Sequence, residues 1–486
     1  MKVLAVTGRL AQDMVRDAAR DADVLVLDVD VAALITPEML QRASPGGYDL
    51  ILIPGAITAD FQEVERVLGA KIRLGPKHAA DLGFVVKHLG DFELSRTIPA
   101  CVLLESTMRR NAAGQAAKLE MEATFDLTNK GAKIGGSSRM KVLAEIVDAT
   151  RMSAEALANR VHYFENEGAD MVDLGLPLDA RPLEVIATLK TARKATNLPL
   201  SIDTVRPDLI KAGVEAGADM VLSLNGDNLA LVGEDVLAAG VPAVVIPGPG
   251  RISLEENVQS ALELGIKVIA DPVLDPPLQG LVPSLERYIS FKEAYPHIPL
   301  FFGAGNVTEL IDADTQGTNA LLAAMGTEVG ASILFTPEYS PKAKGSVREL
   351  RAASEMMQLA KGRKTPPKDL GIDLLLLKEK RQLPQELMPL QFESAREDRK
   401  YTPDPAGSFR IYLAKEKIVA RHERITVVGE NARYILNTLI DNGSVSRLDH
   451  AGYLGRELAK AELALQLGRS YTQDEPLLSF PSLRKV

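Results

Sequence analysis

Short apolar runs alternate with longer segments of helical periodicity through the middle of the chain. We interpret the apolar runs as strands at 141–147, 171–174, 200–203, 220–224, 243–246, 267–270, 300–302 and 332–335. Helical patterns lie at 154–167, 182–195, 207–215, 229–239, 254–263, 284–294, 319–326 and 347–360. Strands that are apolar throughout are typical of parallel sheets covered on both faces. These eight units predict a (β/α)8 TIM barrel over residues 141–362, with a doubly wound open sheet as the alternative.

The flanking segments predict two further domains. Strand-like runs at 3–8, 24–28 and 50–53 alternate with helical patterns, which indicates a Rossmann- or flavodoxin-like α/β domain over residues 1–140. Its turns at 6–8 and 54–56 line either a ligand crevice or only a packing or oligomerisation surface. Because no G-x-G-x-x-G motif is present, we do not expect a dinucleotide site there.

A basic, proline-bearing segment at 361–368 is interpreted as a linker. Beyond it, residues 368–486 predict a small α+β domain. Its strand-like runs lie at 409–413 and 425–429, and its helical patterns at 431–442 and 453–467.

Composition narrows the classes of function. The 486 residues are 46% hydrophobic and 25% charged, with a formal net charge of -9. This balance and the absence of a strong basic run argue against a nucleic-acid partner. No apolar stretch approaches the length of a membrane span, so we expect a cytoplasmic protein. Cys101 is the single cysteine, which excludes an internal disulfide framework, and its apolar neighbours indicate a buried thiol.

Acids and amides stand where the barrel strands are expected to end. Asp203 closes the third strand, Asn225 follows the fourth, Asp271 follows the sixth and Asn306 follows the seventh. The carboxyl ends of barrel strands meet at one mouth, so these side chains should converge. Such groups suit a neutral heterocycle rich in N–H donors, and a divalent cation is the competing interpretation. Other acids, such as Asp179 and Asp227, are expected to cap helices instead.

The motifs around these residues resemble a known family. Segments 201–204 (Ser-Ile-Asp-Thr), 221–226 (Val-Leu-Ser-Leu-Asn-Gly) and 269–272 (Ile-Ala-Asp-Pro) resemble those of the pterin-binding family. That family contains the dihydropteroate synthases and the folate-type corrinoid methyltransferases. The resemblance implies that Asp203, Asn225 and Asp271 hold the edge of a pterin ring. Segment 173–182 resembles the one that ends in Thr-Arg-Pro in the synthases, which makes Arg181 a candidate for the anionic part of a substrate.

Two strand ends depart from the synthase pattern. A synthase carries a basic Ser-Arg-Lys-type element after strand seven, whereas this chain has Gly-Ala-Gly-Asn-Val-Thr at 303–308. This element is similar to the Gly-x-Ser-Asn-Val element of the methyltransferases, and it implies that Asn306 assists near the pterin N5. The basic end of strand eight is replaced by residues 335–340. Lys342 and Lys344 follow, and they serve either an anionic substrate or only a solvated surface.

The complete chain resembles dihydropteroate synthase-like proteins of methanogens and of methylotrophs that use tetrahydromethanopterin. Segments 445–458 and 471–477 are typical of their C-terminal domain. The tail places Arg447, Asp449, His450 and Arg456 near a helix start. This group either binds a phosphate or carboxylate, with His450 as a proton carrier, or forms an interface or a helix start capped by Asp449.

Three functions fit this resemblance. The first is a transferase that joins a dihydropterin-methyl diphosphate to a ribosyl-aminobenzene phosphate in tetrahydromethanopterin biosynthesis. Asp271 and Asn306 would then lie at the reacting centre, and Mg²⁺ would assist the diphosphate. The second is a one-carbon transferase acting on reduced methanopterin, and the third is a non-catalytic binder of that pterin. The resemblance also implies a homodimer whose partners are a small-molecule pterin and an arylamine.

Overall fold

The chain divides into two compact units, residues 1–381 and 382–486. The structure is a computed structural model. It describes residues 1–104, 107, 110, 114, 117–123, 125–127, 132–248, 253–379, 391–395 and 402–478.

The first unit begins with a parallel four-stranded sheet in the order β2-β1-β3-β4. Alternate residues of β1 pack into different apolar clusters, Val3 and Ala5 in one and Leu4 and Val6 in the other, as expected for a sheet covered on both faces. The strands are β1 (Val3–Thr7), β2 (Asp23–Val26), β3 (Leu50–Ile53) and β4 (Lys71–Leu74). The helices are α1 (Gln12–Ala18), α2 (Pro37–Ala43), α3 (Gln62–Leu68), α4 (Leu82–Lys87) and α5 (Ala100–Leu103).

Eight parallel strands then form a closed barrel. The last strand pairs with the first, Ile333 lying opposite Lys141, and this closure rules out the open sheet. The strands are β7 (Lys141–Ile146), β8 (Met171–Gly175), β9 (Leu200–Asp203), β10 (Met220–Leu224), β11 (Ala243–Val245), β12 (Val268–Ala270), β13 (Leu300–Phe302) and β14 (Ala331–Thr336). The prediction of a TIM barrel is therefore confirmed.

Helices cover the outer face of the barrel. They are α6 (Ala154–Asn166), α7 (Pro182–Ala195), α8 (Pro207–Glu215), α9 (Leu229–Ala239), α10 (Leu254–Glu263), α11 (Leu281–Ala294), α12 (Gly305–Thr308), α13 (Thr315–Glu328) and α14 (Ser346–Arg363). Several begin with a recognisable cap. Ser153 accepts a hydrogen bond from the Ala156 N–H, and Ser253 forms a capping box with Glu256.

The barrel interior is divided into an apolar floor and a polar mouth. Alternate strand residues such as Leu143, Met171 and Ile269 form an inner apolar cluster. A two-stranded hairpin, β5 (Phe125–Leu127) and β6 (Ala132–Ile134), adds Leu127, Ala132 and Ile134 to this cluster. Because β6 leads almost directly into β7, the hairpin lies at the amino ends of the strands. Ligands therefore have access from the carboxyl ends.

The second unit contains an antiparallel sheet in the order β15-β16-β17. Its strands are β15 (Arg410–Ala414), β16 (Lys417–Arg421) and β17 (Thr426–Gly429), and its helices are α15 (Ala432–Asp441) and α16 (Leu448–Gln466). Ile411, Ile418 and Ala420 from the sheet share one core with Ile435 and Leu439 of α15, and with Leu454 and Leu458 of α16. The small C-terminal α+β domain predicted from the sequence is present.

No described helix in either unit combines the length and the apolarity needed to cross a bilayer. The short 3-10 turns of the chain are Arg9–Ala11, Ala32–Leu34, Ala79–Asp81, Glu120–Glu122, Ala149–Arg151 and Pro341–Ala343.

Candidate functional site

Three carboxyl groups meet inside the mouth of the barrel. Glu145, Asp173 and Asp203 each offer an oxygen, and these atoms lie within 4.8 Å of one another. The strand register explains the cluster, because Glu145 lies opposite Asp173 on β7 and β8, and Gly175 lies opposite Asp203 on β9. A Cβ at position 175 would overlap the Glu145 carboxylate, so a larger residue there would displace that side chain.

Burial of this cluster raises the affinity of its members for protons. Burial, followed by the charges of Asp203 and Asp148, raises the pKa of Glu145 to about 8. Burial and the neighbouring Asp203 and Glu145 also hold the pKa of Asp173 well above its ordinary value. Burial, with the charge of Asp271, raises the pKa of Asp203 to about 6. At neutral pH the cluster therefore contains both protonated carboxyl groups and a carboxylate.

The deepest of the three groups has an unused acceptor. Asp173 is fully buried, and its Oδ1 accepts a hydrogen bond from the Ser201 hydroxyl. Its Oδ2 is buried without a hydrogen-bond partner among the residues that the structure describes. Such an atom is costly to bury unless a donor, a shared proton or a cation reaches it. These three carboxylates are therefore the described residues best suited to hold a divalent cation, whose preferred ligands are oxygens.

Asp271 lies at the end of β12 and belongs to a second hydrogen-bonded group. Its Oδ1 accepts from the Val273 N–H at 2.8 Å and lies 2.9 Å from the Tyr288 hydroxyl. Burial raises the pKa of Asp271 to about 6, although these two hydrogen bonds oppose the increase. Arg287 supports the same loop by donating to the Pro272 and Val273 carbonyls.

The two predicted amides follow barrel strands at this mouth, Asn225 in the loop after β10 and Asn306 in the short helix α12 after β13. Asn225 is 8% exposed, and its Oδ1 accepts from the backbone N–H groups of Asp227 and Asn228, which leaves its Nδ2 as the end available to a ligand. Asn306 is exposed, and its Nδ2 donates to the Leu274 carbonyl at 2.8 Å. Asn306 therefore connects the end of β13 to the loop that carries Asp271, and its Oδ1 remains an acceptor.

Cations at the mouth are paired with acids of the same chain. Arg181 pairs with Glu184 at the start of α7, Lys342 pairs with Asp312, and Arg151 pairs with both Asp148 and Asp179. Lys344 is exposed in the loop after β14. Arg181 and Lys342 follow carboxyl ends of strands, as an anion-binding role requires, but an anionic substrate would compete with their present partners.

The polar group at the start of α16 is organised around an acid that the sequence did not single out. Asp404 accepts from the N–H groups of Ser446 and Arg447 and lies 2.8 Å from His450 Nδ1. Although burial opposes it, the hydrogen bonds from Ser446 and His450 hold the pKa of Asp404 below its ordinary value. Thus a carboxylate of the chain itself stands at this helix start.

The remaining members of that C-terminal group have local partners. Asp449 pairs with Arg447, and Arg456 lies over the Tyr453 ring and near Glu457.

In the first unit, the predicted crevice at Thr7 and Pro54 is a cavity of 80 Å³ with mostly apolar lining. That volume is equivalent to roughly three waters.

Glu145 is the main residue that the sequence did not reveal. It lies within a strand rather than at its end, so a search of strand ends misses it. The available signal was the alternation in β7, which places Glu145 on the same face as the buried interior residue Leu143. Tyr288 was missed because a helix carries it, more than a dozen residues beyond Asp271.

Two family models match the chain. Residues 145–261, from the first barrel strand to the fifth barrel helix, match the family described as pterin binding enzyme. Residues 403–474 match the family described as PterinBD-DUF4346.

The complete chain is similar to a relative from Methanocaldococcus jannaschii that carries the name of an uncharacterized protein. The two are 36% identical over 517 aligned residues, which span 98% of each chain. The chain belongs to this relative's family. Much of its barrel is similar to the pterin binding enzyme family.

Solved structures of dihydropteroate synthases are also similar to the barrel. The enzyme of Xanthomonas albilineans in complex with 7,8-dihydropteroate is 21% identical, with a TM-score of 0.37 over 46% of this chain and 94% of that chain. The enzyme of Thermus thermophilus in complex with 4-aminobenzoate is 20% identical, with a TM-score of 0.36 over 45% of this chain and 93% of that chain.

Proposed function

We propose that the protein is a transferase that joins a dihydropterin-methyl diphosphate to a ribosyl-aminobenzene phosphate during tetrahydromethanopterin biosynthesis. The observation that carries the proposal is the convergence of Asp203 and Asp271, each with a pKa near 6, on one barrel mouth. A pterin presents an amino-pyrimidine edge with several N–H donors. The two carboxylates match such an edge, because each buried acceptor gains a donor, and the Asn225 Nδ2 group would donate to a ring nitrogen or carbonyl oxygen beside it.

Protonation states favour this assignment of roles. At neutral pH, Asp203 and Asp271 are largely ionised and accept from ring N–H groups, whereas Glu145, with a pKa near 8, retains its proton. The protonated Glu145 carboxyl would therefore be a donor for Asp203 or for a ring nitrogen. A site of this kind holds both edges of one heterocycle and discriminates against rings that lack the same donors.

In the proposed reaction, the C–O bond between the pterinylmethyl group and diphosphate breaks, and the electron pair leaves with the diphosphate. The arylamine nitrogen then forms the new C–N bond and loses a proton. Mg²⁺ bound to the diphosphate would stabilise the leaving group. Arg181, Lys342 and Lys344 follow strands β8 and β14 at the same end of the barrel, and they are the proposed contacts for the anionic parts of the substrates.

A second candidate is a one-carbon transferase or carrier of reduced methanopterin. The segment 303–308 after β13 contains no lysine or arginine, and the Nδ2 of its Asn306 donates to the Leu274 carbonyl in the Asp271 loop, so the amide oxygen is an acceptor beside that loop. An amide oxygen there suits an N–H of a reduced pterin ring. Asn306→Ala separates the candidates, since it should reduce one-carbon transfer more strongly than it reduces the affinity for the diphosphate substrate.

The decisive experiment is calorimetric titration with a dihydropterin-methyl diphosphate plus Mg²⁺, and separately with reduced methanopterin. Asp203→Asn and Asp271→Asn should each weaken pterin binding roughly tenfold or more. In each variant an amide that can present an N–H group replaces a carboxylate that accepts from a ring N–H, which leaves a buried donor without an acceptor. Asp227→Asn is the matched control, since Asp227 is an exposed acid on the neighbouring loop.

Diphosphate release on adding the ribosyl arylamine would support the transferase. Preference for the intact reduced cofactor would instead support one-carbon chemistry. Unchanged pterin affinity in both Asp203→Asn and Asp271→Asn would show that the pterin site is assigned to the wrong residues.

A further inference from the structure

A polar cavity of 210 Å³ lies at the end of the barrel opposite to the carboxylate cluster. Met140 directly precedes β7, Pro299 precedes β13 and Ala331 opens β14, and all three line the cavity. They mark the amino ends of the parallel strands, whereas Asp203 and Asp271 stand at the carboxyl ends. The cavity is therefore separate from the proposed pterin site.

The lining of this cavity is positively charged. Lys292 of α11 and Lys361 of α14 face it, with the exposed His297 beside them, and none of the described lining residues is acidic. This is unexpected in a chain whose net charge is -9. Arg139 also lines the cavity, but its guanidinium is paired with Asp170. Lys292 and Lys361 are thus the cations that an anion would meet.

The charge of Lys361 disfavours the charged form of Lys292. Burial, followed by the charge of Lys361, lowers the pKa of Lys292. Lys292 donates to the Ile298 carbonyl at 2.9 Å, which fixes its ammonium group at the cavity. An anion placed between these two side chains would relieve their repulsion.

A glycine turn forms another wall of the cavity. Gly135 and Gly136, between β6 and β7, have φ values of 78° and 61°. Only glycine adopts successive conformations of this kind without strain. The turn therefore exposes backbone and the Ser137 hydroxyl to the cavity, while the Ser138 hydroxyl donates to the Gly135 carbonyl at 2.7 Å.

Gln358 provides an independent sign of a missing hydrogen-bond partner. Its side chain lines the cavity, the residue is only 7% exposed, and its Oε1 has no hydrogen-bond partner in the described part of the chain. Its Nε2 makes only a long contact of 3.4 Å to the Ser137 carbonyl. A buried amide oxygen of this kind is stabilised when a hydroxyl group donates to it.

We propose that this cavity binds a small phosphorylated polyol, with Lys292 and Lys361 on the phosphate and Gln358 on a hydroxyl. The volume of 210 Å³ equals that of roughly seven waters, which admits a phosphate and a short carbon chain. The site would act as a second ligand site on the barrel. It does not depend on what the carboxyl-end mouth binds.

The test is calorimetric titration of the full-length protein with inorganic phosphate, ribose 5-phosphate and ribose at constant ionic strength. The double variant Lys292→Ala/Lys361→Ala should weaken binding of ribose 5-phosphate roughly tenfold or more, since it removes two charge-assisted contacts. Lys190→Ala/Lys194→Ala, two exposed lysines of α7, is the charge-matched control and should bind as the unmodified protein does.

Gln358→Glu is a second variant that nearly preserves side-chain shape. Its carboxylate would pair with the two lysines in place of the phosphate, so ribose 5-phosphate should bind more weakly. Thermal unfolding should show that the fold persists. Tighter binding of ribose 5-phosphate than of inorganic phosphate supports the proposal, and equal binding overturns the role of Gln358. Lack of saturable binding to either compound, or full binding by Lys292→Ala/Lys361→Ala, overturns the site itself.

Discussion

Glu145 and Asp173 lie opposite each other on neighbouring barrel strands, and their carboxyl oxygens come within 4.8 Å. A shift of one residue in the pairing would turn one of these side chains out of the barrel, so the register itself creates the contact. One buried oxygen of Asp173 has no hydrogen-bond partner among the described residues, and the pKa of both groups is raised, so the free site carries a cost. A ligand that supplies donors would reduce that cost.

Glu145→Gln should stabilise the free protein in a pH-dependent manner. The unfolded glutamate ionises near its ordinary pKa of 4.5, whereas the folded one holds its proton until about pH 8. Stability of the unmodified protein is therefore lost as the pH rises between these values. The variant should gain about 1–3 kcal/mol near pH 8, less than the full shift implies because the side chain keeps some exposure, and it should gain nothing near pH 4.

Urea unfolding at several pH values measures this gain. Glu165→Gln on the exposed side of α6 is the control and should show no comparable pH dependence. An equal effect of both variants would mean that Glu145 is not held in an environment that disfavours its charge.

Tyr288→Phe should shift the pH dependence of pterin binding. Binding needs ionised Asp203 and Asp271, so affinity should be full well above pH 6 and decline as the pH falls through their pKa values. The Tyr288 hydroxyl lies 2.9 Å from both Asp271 Oδ1 and the Phe301 carbonyl, and its one proton serves only one of them at a time. Removing it should raise the pKa of Asp271 and move the midpoint of binding to higher pH.

Fluorescence titration with the pterin across this pH range checks the prediction. Tyr295→Phe, directly after the end of the same helix, is the control, since Tyr295 stacks on Phe291 instead. An unchanged midpoint in Tyr288→Phe would show that the hydroxyl donates to the Phe301 carbonyl and not to Asp271.

The barrel could be predicted from the sequence because its strands are apolar runs bounded by turns. Seven of the eight strands, including Leu200–Asp203, have the bounds that the pattern predicts or differ by one residue at one end. The sequence analysis did not predict four strands outside the barrel, namely β4 (Lys71–Leu74), β5 (Phe125–Leu127), β6 (Ala132–Ile134) and β16 (Lys417–Arg421). The strands β4 and β16 are short and begin with a lysine, and β16 also ends in an arginine, so neither shows an uninterrupted apolar run. The strands β5 and β6 have only three residues each.

The site was only partly predictable for a related reason. Asp203, Asn225 and Asp271 follow apolar runs directly, and their position in the chain reveals their place in the barrel. Glu145 and Tyr288 depend on register and on the packing of α11 against the strands, which one sequence does not specify. Asp404, likewise, lies more than forty residues before its partner His450.

Asp170→Ala should destabilise the barrel strongly. The Asp170 carboxylate accepts from Arg139 at 3.0 Å, from Arg351 at 2.9 Å and from the Val142 N–H at 2.8 Å. It thereby joins the start of β7 to helix α14. Its removal leaves the buried Arg139 without its main partner, which costs about 3–5 kcal/mol.

Denaturant unfolding of the full chain measures the loss. Asp208→Ala is the control, because Asp208 forms a more exposed pair with Arg206 and should change stability by about 0.5 kcal/mol or less. Similar losses in the two variants would mean that the Asp170 network adds little beyond an ordinary surface pair.

Asp404→Asn should loosen the start of α16 without affecting the barrel. The carboxylate accepts from two successive backbone N–H groups, those of Ser446 and Arg447, and from the His450 ring, so the amide cannot replace all of these contacts. Because the folded pKa of Asp404 lies below its ordinary value, its contribution to stability is present at neutral pH and is lost as the pH falls toward the folded pKa.

Amide hydrogen exchange at residues 446–450 should therefore be faster in the variant at neutral pH, and the difference should shrink in acid. Asp449→Asn, which alters an exposed pair with Arg447, should have a much smaller effect. Equal exchange in the two variants would place the cap of this helix on Asp449, as the sequence alone suggested, and would leave Asp404 with no special role.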